Sequence, residues 1–155
     1  KEHNDFSVFQ CWGRSKFGQA VLIDQMRGKW EAPELKVQAR AFWTKHKAIN
    51  SGGALRAFKV EDKVSGTGLI QELKREGIPM IPIQRNTDKV TRAMDAAPFI
   101  ESGNVLLPKE APWLSDFLGE HSAFPSGAHD DQVDPMMDAV TDICSAQVQP
   151  RIRAL

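Results

Sequence analysis

Strand-like and helix-like segments alternate along this chain, and that alternation narrows its fold more than any single motif does. "DFSVFQCWG" is short, aromatic and β-branched, and Ala20 to about Met26 repeats that character after the turn "RSKFGQ"; the pair reads as an antiparallel hairpin. Pro33 and Glu34 mark the first turn of a helix whose Leu35, Ala39, Phe42 and Trp43 recur at helical spacing up to Lys47. "INSGG" reads as a linker, and "ALRAFKVED" as a third strand with Leu55, Ala57, Phe58 and Val60 covered and Glu61 and Asp62 at its end. "SGTGLIQELKREG" is a helix with Leu69, Ile70 and Leu73 inward, closed by Gly77 where a left-handed residue is needed. Pro79 and Pro82 confine "IPMIPIQ" to an edge or a strand end, because each removes a ladder donor. A helix over "TDKVTRAMDAAPFIESG", interrupted or ended near Pro98, a short strand "NVLLP", a helix over "APWLSDFLGEHSAF" and a final helix complete the order. The expected fold is therefore α/β: a mixed sheet flanked by helices, with sites at the carboxyl ends of its strands.

At 155 residues the chain is expected to form one domain, 1–155, large enough to bury a core. A hydrophobic content of 41% with 26% charged residues excludes both a disordered chain and a disulfide scaffold. Twenty basic residues cancel twenty acidic ones, so any DNA contact would have to come from a local basic patch. Cys11 and Cys144 lie too far apart for a CxxC metal or redox motif and read as reduced thiols. No apolar run approaches ~18 residues, and the charged start "KEHND" lacks the apolar core of a secretion signal. The expected setting is the cytosol, and the abrupt polar start fits a chain cut in mid-protein.

The chemistry concentrates in "AHDDQVDPMMDAV", where Asp130, Asp131 and Asp134 fall within five positions. Val133, Met136, Met137, Val140, Ile143 and Cys144 then form one continuous apolar face, with Asp130, Asp134 and Asp138 on another. Aspartates at a helix start suit the helix dipole and cap it, which accounts for part of the cluster. Several carboxylates close together also repel, and call for a cation. Pro135 bears on the register, since Asp134 and Pro135 could themselves be the cap and first helical residue. Glu61 and Asp62 end an apolar strand, either because a strand must end in polar residues or because α/β sheets build sites there. Hard divalent ions take oxygen ligands, and a two-metal site needs carboxylates around ions roughly 3.5–4 Å apart.

Other candidates carry less. "SGTG" suggests a phosphate cradle, but neither GxxxxGK[ST] nor GxGxxG occurs. His129 could ligate a metal or shuttle protons, or simply be polar, and His3, His46 and His121 have no ligand-like spacing. Ser65 has no evident base partner, so no nucleophilic triad is supported. Lys89 and Arg92 share a helix face, with Arg85 just upstream and Lys74 and Arg75 on the preceding helix; they could grip phosphates or form a solvated face.

The order "DFSVFQCWG", "GKWEAPEL", "VEDKVSGTGLIQEL", "IPMIPI", "DKVTRA", "GNVLLPKEAPWLSDFLGE", "FPSGAHDDQVD" resembles, along most of the chain, the C-terminal nuclease domain of phage terminase large subunits. The resemblance joins a Glu-x-x-x-x-Gly strand end, an Asp-Lys-x-x-Arg-Ala helix and a His-Asp-Asp helix start in the family's order. It implies a ribonuclease H-like fold whose acidic residues hold two divalent metals, Mg²⁺ or Mn²⁺, that cut double-stranded DNA during genome packaging. By position, Glu61, Asp130 and Asp131 match the catalytic and metal-binding acids, with Asp134 a further ligand one turn on. Asp62 and His129 would stand behind these ligands, while Lys89, Arg92 and Arg85 would contact DNA. The metals would activate a water for attack on a phosphodiester and stabilise the leaving oxygen, so no Ser, Cys or His nucleophile is required.

The family places its first catalytic aspartate in an Asp-x-Ala setting ahead of the stretch matching "NDFSV", so that residue and its strand are expected to precede Lys1. Asp5 matches a different position; Asp24, taken to end the second strand, is a weaker candidate. The absence of a Walker motif from these residues implies that a packaging ATPase domain lies elsewhere on a parent chain. The implied partners are double-stranded DNA, that ATPase domain, the small terminase subunit and the portal, in the host cytoplasm and without a membrane. Two rivals stand beside this reading: a non-catalytic module that docks on DNA or the portal, and a junction resolvase of the same fold.

Overall fold

The computed structural model describes residues 5–49 and 53–145; His3 and the 50–52 part of the linker lie outside them. Two compact units divide the chain, Lys1–Cys11 with Gln25–Asp88 and Trp12–Asp24 with Lys89–Leu155. The expected α/β class with a mixed, helix-flanked sheet is found. Strand β1 (Ser7–Arg14) and strand β2 (Ala20–Gly28) contribute to both units. The connection over 15–19 is too short for a crossover, so these neighbouring strands run antiparallel. Its tight path rests on Gly18, whose φ of 81° suits glycine, and on the Ser15 hydroxyl oxygen accepting from the Gln19 N–H.

In the first unit, helix α1 (Ala32–His46) starts on Pro33 as expected and buries Ala39 and Phe42. The linker and third strand come out differently from the sequence expectation. Strands β3 (Ala48–Ile49) and β4 (Gly53–Ala54) pair antiparallel, and only β5 (Phe58–Glu61) remains of the longer strand. Helix α2 (Val64–Arg75) ends before Gly77, at φ 86°, and leads into β6 (Met80–Ile83), which pairs parallel with β5 from Phe58↔Met80 to Glu61↔Ile83. Among the described residues, Glu61 ends a strand whose ladder partner is β6. Residues 79, 81 and 83 direct their backbone groups at β5, so Met80 and Pro82 direct theirs outward; the Met80 N–H is used locally on the Ile78 carbonyl at 2.8 Å. Phe9 anchors the core, stacked on Trp30 and Phe42 and edge-on to Phe58, all with ring centroids under 6 Å apart. At Gly28 a side chain would collide with Trp30, which explains glycine in the middle of "RGKW".

In the second unit, β7 (Val105–Leu106) adds parallel to β2 through Ala20↔Val105 and Val21↔Leu106. Helix α3 (Lys89–Glu101) runs unbroken through Pro98, contrary to the expected interruption. Pro98 and the Met94 one turn before it are both exposed, so the carbonyl that loses its helical donor faces water and the ring has room. Helix α4 (Leu114–Ala123) and helix α5 (Val133–Ser145) complete the unit. The apolar face expected on the last helix is found: Val133, Met136, Met137 and Val140 are buried with Ala20, Leu22, Ala96 and Phe117, and Ile143 and Cys144 border them.

His121 sits in the last turn of α4 with its ring 4.1 Å from that of Phe117. Its Nδ1–H donates to the Phe117 carbonyl at 2.7 Å, while Nε2 is buried with no hydrogen-bond partner among the described residues. Burial pushes the His121 pKa below the ordinary value of 6.5, opposed by the Phe117 carbonyl and the Glu120 carboxylate. The unfolded chain therefore takes up this proton first as pH falls, and stability is lost from about pH 6.5 down to the lowered folded-state value. Urea unfolding across that window is expected to show this loss in the wild type, and a flatter profile in His121→Phe.

Candidate metal centre

The second unit assembles most of the acidic candidates from two helices and one loop. Asp130 and Asp131 lie in the turn before α5, and the Asp130 carbonyl accepts the Val133 N–H at 3.1 Å. Asp134 falls in the first turn of α5, with Pro135 as the third residue rather than the first, where its missing N–H is still harmless. Lys89 and Arg92 stand three residues apart on α3 and both face these aspartates. Arg92 grips Asp134 in a two-pronged pair, Nε to Oδ1 at 2.8 Å and Nη2 to Oδ2 at 3.0 Å. The Lys89 ammonium lies 2.8 Å from Asp130 Oδ1 and 3.7 Å from Asp134 Oδ2.

Burial separates these contacts into two kinds. The Arg92 and Asp134 side chains are 17% and 15% exposed, so their pair is shielded, whereas Asp130 is 48% exposed and its contact with Lys89 is open to solvent. Exposed pairs contribute little, at about 0–1 kcal/mol. His129 is exposed, Asp138 is half-buried on α5, and Asp24 lies inside β2 rather than at its end.

In the first unit, Glu61 closes β5 with Lys63 Nζ 2.9 Å from one carboxylate oxygen and Arg85 Nε 3.6 Å from the other. Asp62 accepts from Gln84 Nε2 at 2.7 Å and from the Thr67 hydroxyl at 3.4 Å, tying the end of β6 to the start of α2. The glycine of the Glu-x-x-x-x-Gly pattern has a steric cause. A Cβ on Gly66 would come within 2.6 Å of the Glu61 carbonyl oxygen, so only glycine lets the first turn of α2 settle against the strand end.

Carboxylate oxygens are the donors that hard divalent cations prefer. Two carboxylates already converge on one cationic nitrogen at Lys89, so the donor type and charge of Asp130 and Asp134 fit such an ion. Among the described residues, no group of three or more His, Cys, Asp or Glu is arranged to hold a metal. Sequence reasoning missed Glu120. It continues on α4 the apolar stripe of Phe117 and the capping residues Trp113 and Phe124, is 8% exposed, and its Oε2 accepts the Gln132 N–H at 2.6 Å. A glutamate at an inward position of an apolar helix face was the available signal.

Two substitutions check these local assignments. Gly66→Ala is expected to cost about 1–3 kcal/mol in urea unfolding, while Gly68→Ala, where nothing lies within 4 Å, should be neutral or stabilising. Arg92→Leu should cost about 2–3 kcal/mol by leaving Asp134 shielded and poorly compensated, and adding Asp134→Leu should recover most of that.

The family model of the terminase RNaseH-like domain matches residues 1–142 of the chain. No curated protein and no solved structure matches the chain.

Proposed function

The chain belongs to the family of terminase RNaseH-like domains, and from that premise we propose that it is a divalent-metal-dependent endonuclease cutting double-stranded DNA during phage genome packaging. The observation that carries this reading is the convergence of Asp130 and Asp134 on the single Lys89 ammonium, a cation seat made of carboxylate oxygens. The proposed ligands are Glu61, Asp130, Asp131 and Asp134, taking two Mg²⁺ or Mn²⁺ ions. Bound there, such ions would supply an activated water and stabilisation of the leaving oxygen.

The chain's own residues divide the remaining work. Arg92 holds Asp134 in a fixed direction through its two hydrogen bonds. The contact of Asp130 with Lys89 is solvent-exposed and costs little to open, so Asp130 would be free to hold a metal and the Lys89 ammonium to meet a DNA phosphate. Asp62 and His129 support the ligands from behind, and Arg85 balances Glu61. Double-stranded DNA, an ATPase domain of the same terminase, the small terminase subunit and the portal are the proposed partners, in the host cytoplasm. Among the described residues, no helix is long and apolar enough to cross a membrane.

The test is nicking of supercoiled plasmid by the full-length protein with Mn²⁺. Glu61→Ala and Asp131→Ala are each expected to slow it by at least about 100-fold. Unchanged nicking would remove these residues from the ligand set. Preference for branched over linear duplex would instead favour a resolvase, and the absence of any Mn²⁺ binding heat would favour a docking module.

A further inference from the structure

The loop over 124–132 carries Asp130 and Asp131 between α4 and α5, and it is fastened at both ends to the last turns of α4. At its start the Ser126 N–H donates to the Ala123 carbonyl at 2.9 Å, and Gly127 lies so close that a Cβ would sit 3.0 Å from the Ala123 methyl. At its end Glu120 Oε2 accepts the Gln132 N–H at 2.6 Å. Glu120 is 8% exposed and Gln132 is fully buried, so this bond forms away from water. A buried N–H without its acceptor costs about 1–3 kcal/mol, and a loop relieves such a cost by moving.

Gln132 directly follows Asp131. Releasing its N–H lets the backbone of Asp130 and Asp131 turn, and a carboxylate displaced by a fraction of an ångström is a poor ligand. We infer that Glu120 is a positioning residue of the metal centre, holding Asp130 and Asp131 in register by accepting the Gln132 N–H from behind. The inference rests on the proposed role of those two aspartates as ligands. It assigns to Glu120 no contact with metal or DNA. What it requires of that side chain is an acceptor at a set reach, and a neutral amide oxygen meets that requirement as well as a carboxylate does.

Three substitutions separate reach from charge. Glu120→Gln keeps an acceptor at the same reach, Glu120→Asp keeps the charge but withdraws the acceptor by one methylene, and Glu120→Met keeps the volume and removes the acceptor. Calorimetric titration with Mn²⁺ is expected to give wild-type affinity for Glu120→Gln and a loss of about 10-fold or more for Glu120→Asp and Glu120→Met. In the metal-free proteins, exchange of the Gln132 amide proton should stay slow in Glu120→Gln and accelerate in the other two. Should one of the weakened variants fail to fold, the other decides. Wild-type Mn²⁺ affinity in Glu120→Asp or Glu120→Met overturns the inference, and so does a Glu120→Gln variant as weak as Glu120→Asp, which would mean that charge rather than reach matters. Asp131→Asn is the control. If it binds Mn²⁺ normally, Asp131 leaves the proposed ligand set and the premise of the inference fails; if it does not while Glu120→Asp does, only the role of Glu120 falls.

Discussion

Burial of the apolar face of α5 is the constraint on which the second unit depends. Val133, Met136, Met137 and Val140 are nearly inaccessible to solvent and pack with Phe117, Ala96 and Leu22. Each such side chain contributes about 1.5–3 kcal/mol relative to exposure, whereas a shielded ion pair comes close to breaking even against its desolvation. Packing therefore drives the docking of α5, and the pair between Arg92 and Asp134 selects its rotation and register. With the apolar side fixed inward, Asp134 has to face α3, and the loop that enters the helix must deliver Asp130 next to Lys89.

The zero net charge of the sequence has a local counterpart. Asp130 and Asp134 stand against Lys89 and Arg92, and Glu61 stands against Lys63 and Arg85. Crowded carboxylates are tolerated because basic side chains from adjacent elements are placed among them. Under the proposed function, a divalent ion or a phosphate that entered would have to displace one of these built-in cations. The contacts differ in how easily they yield: Lys89 and Lys63 meet their partners in exposed or half-exposed positions, while Arg92 is held by two hydrogen bonds in shielded surroundings. On that proposal, recruitment would begin where a lysine is the partner, with the arginine staying in place.

Elements with a strong period or a definite terminator were legible in the sequence. The stripe on α5, the Pro33 start of α1 and the Gly77 end of α2 each follow from local chemistry, and all are found. What failed were the positions decided by surroundings. Pro98 reads as a helix break, yet an exposed face lets α3 continue through it. "INSGG" reads as a plain linker, although its flanks pair as two-residue strands. The acidic cluster and the basic Lys89, Arg92 and Arg85 could each be picked out, but not their pairing, because a lysine on a helix face looks the same whether it meets solvent or an aspartate. Glu120 was hidden for a related reason: its acceptor role depends on a loop returning twelve residues later.

The outward side of β6 has a consequence for how these molecules tolerate crowding. Along that border Pro82 has no N–H, and the Met80 N–H is already engaged by Ile78. A foreign extended segment arriving there finds carbonyls but no donor with which to begin a ladder, so the parallel pair cannot recruit further strands on that flank. A short ladder with a bare edge would otherwise be a template for fibrous self-association. Two ordinary backbone features thus close that flank of the β5–β6 ladder to strand addition.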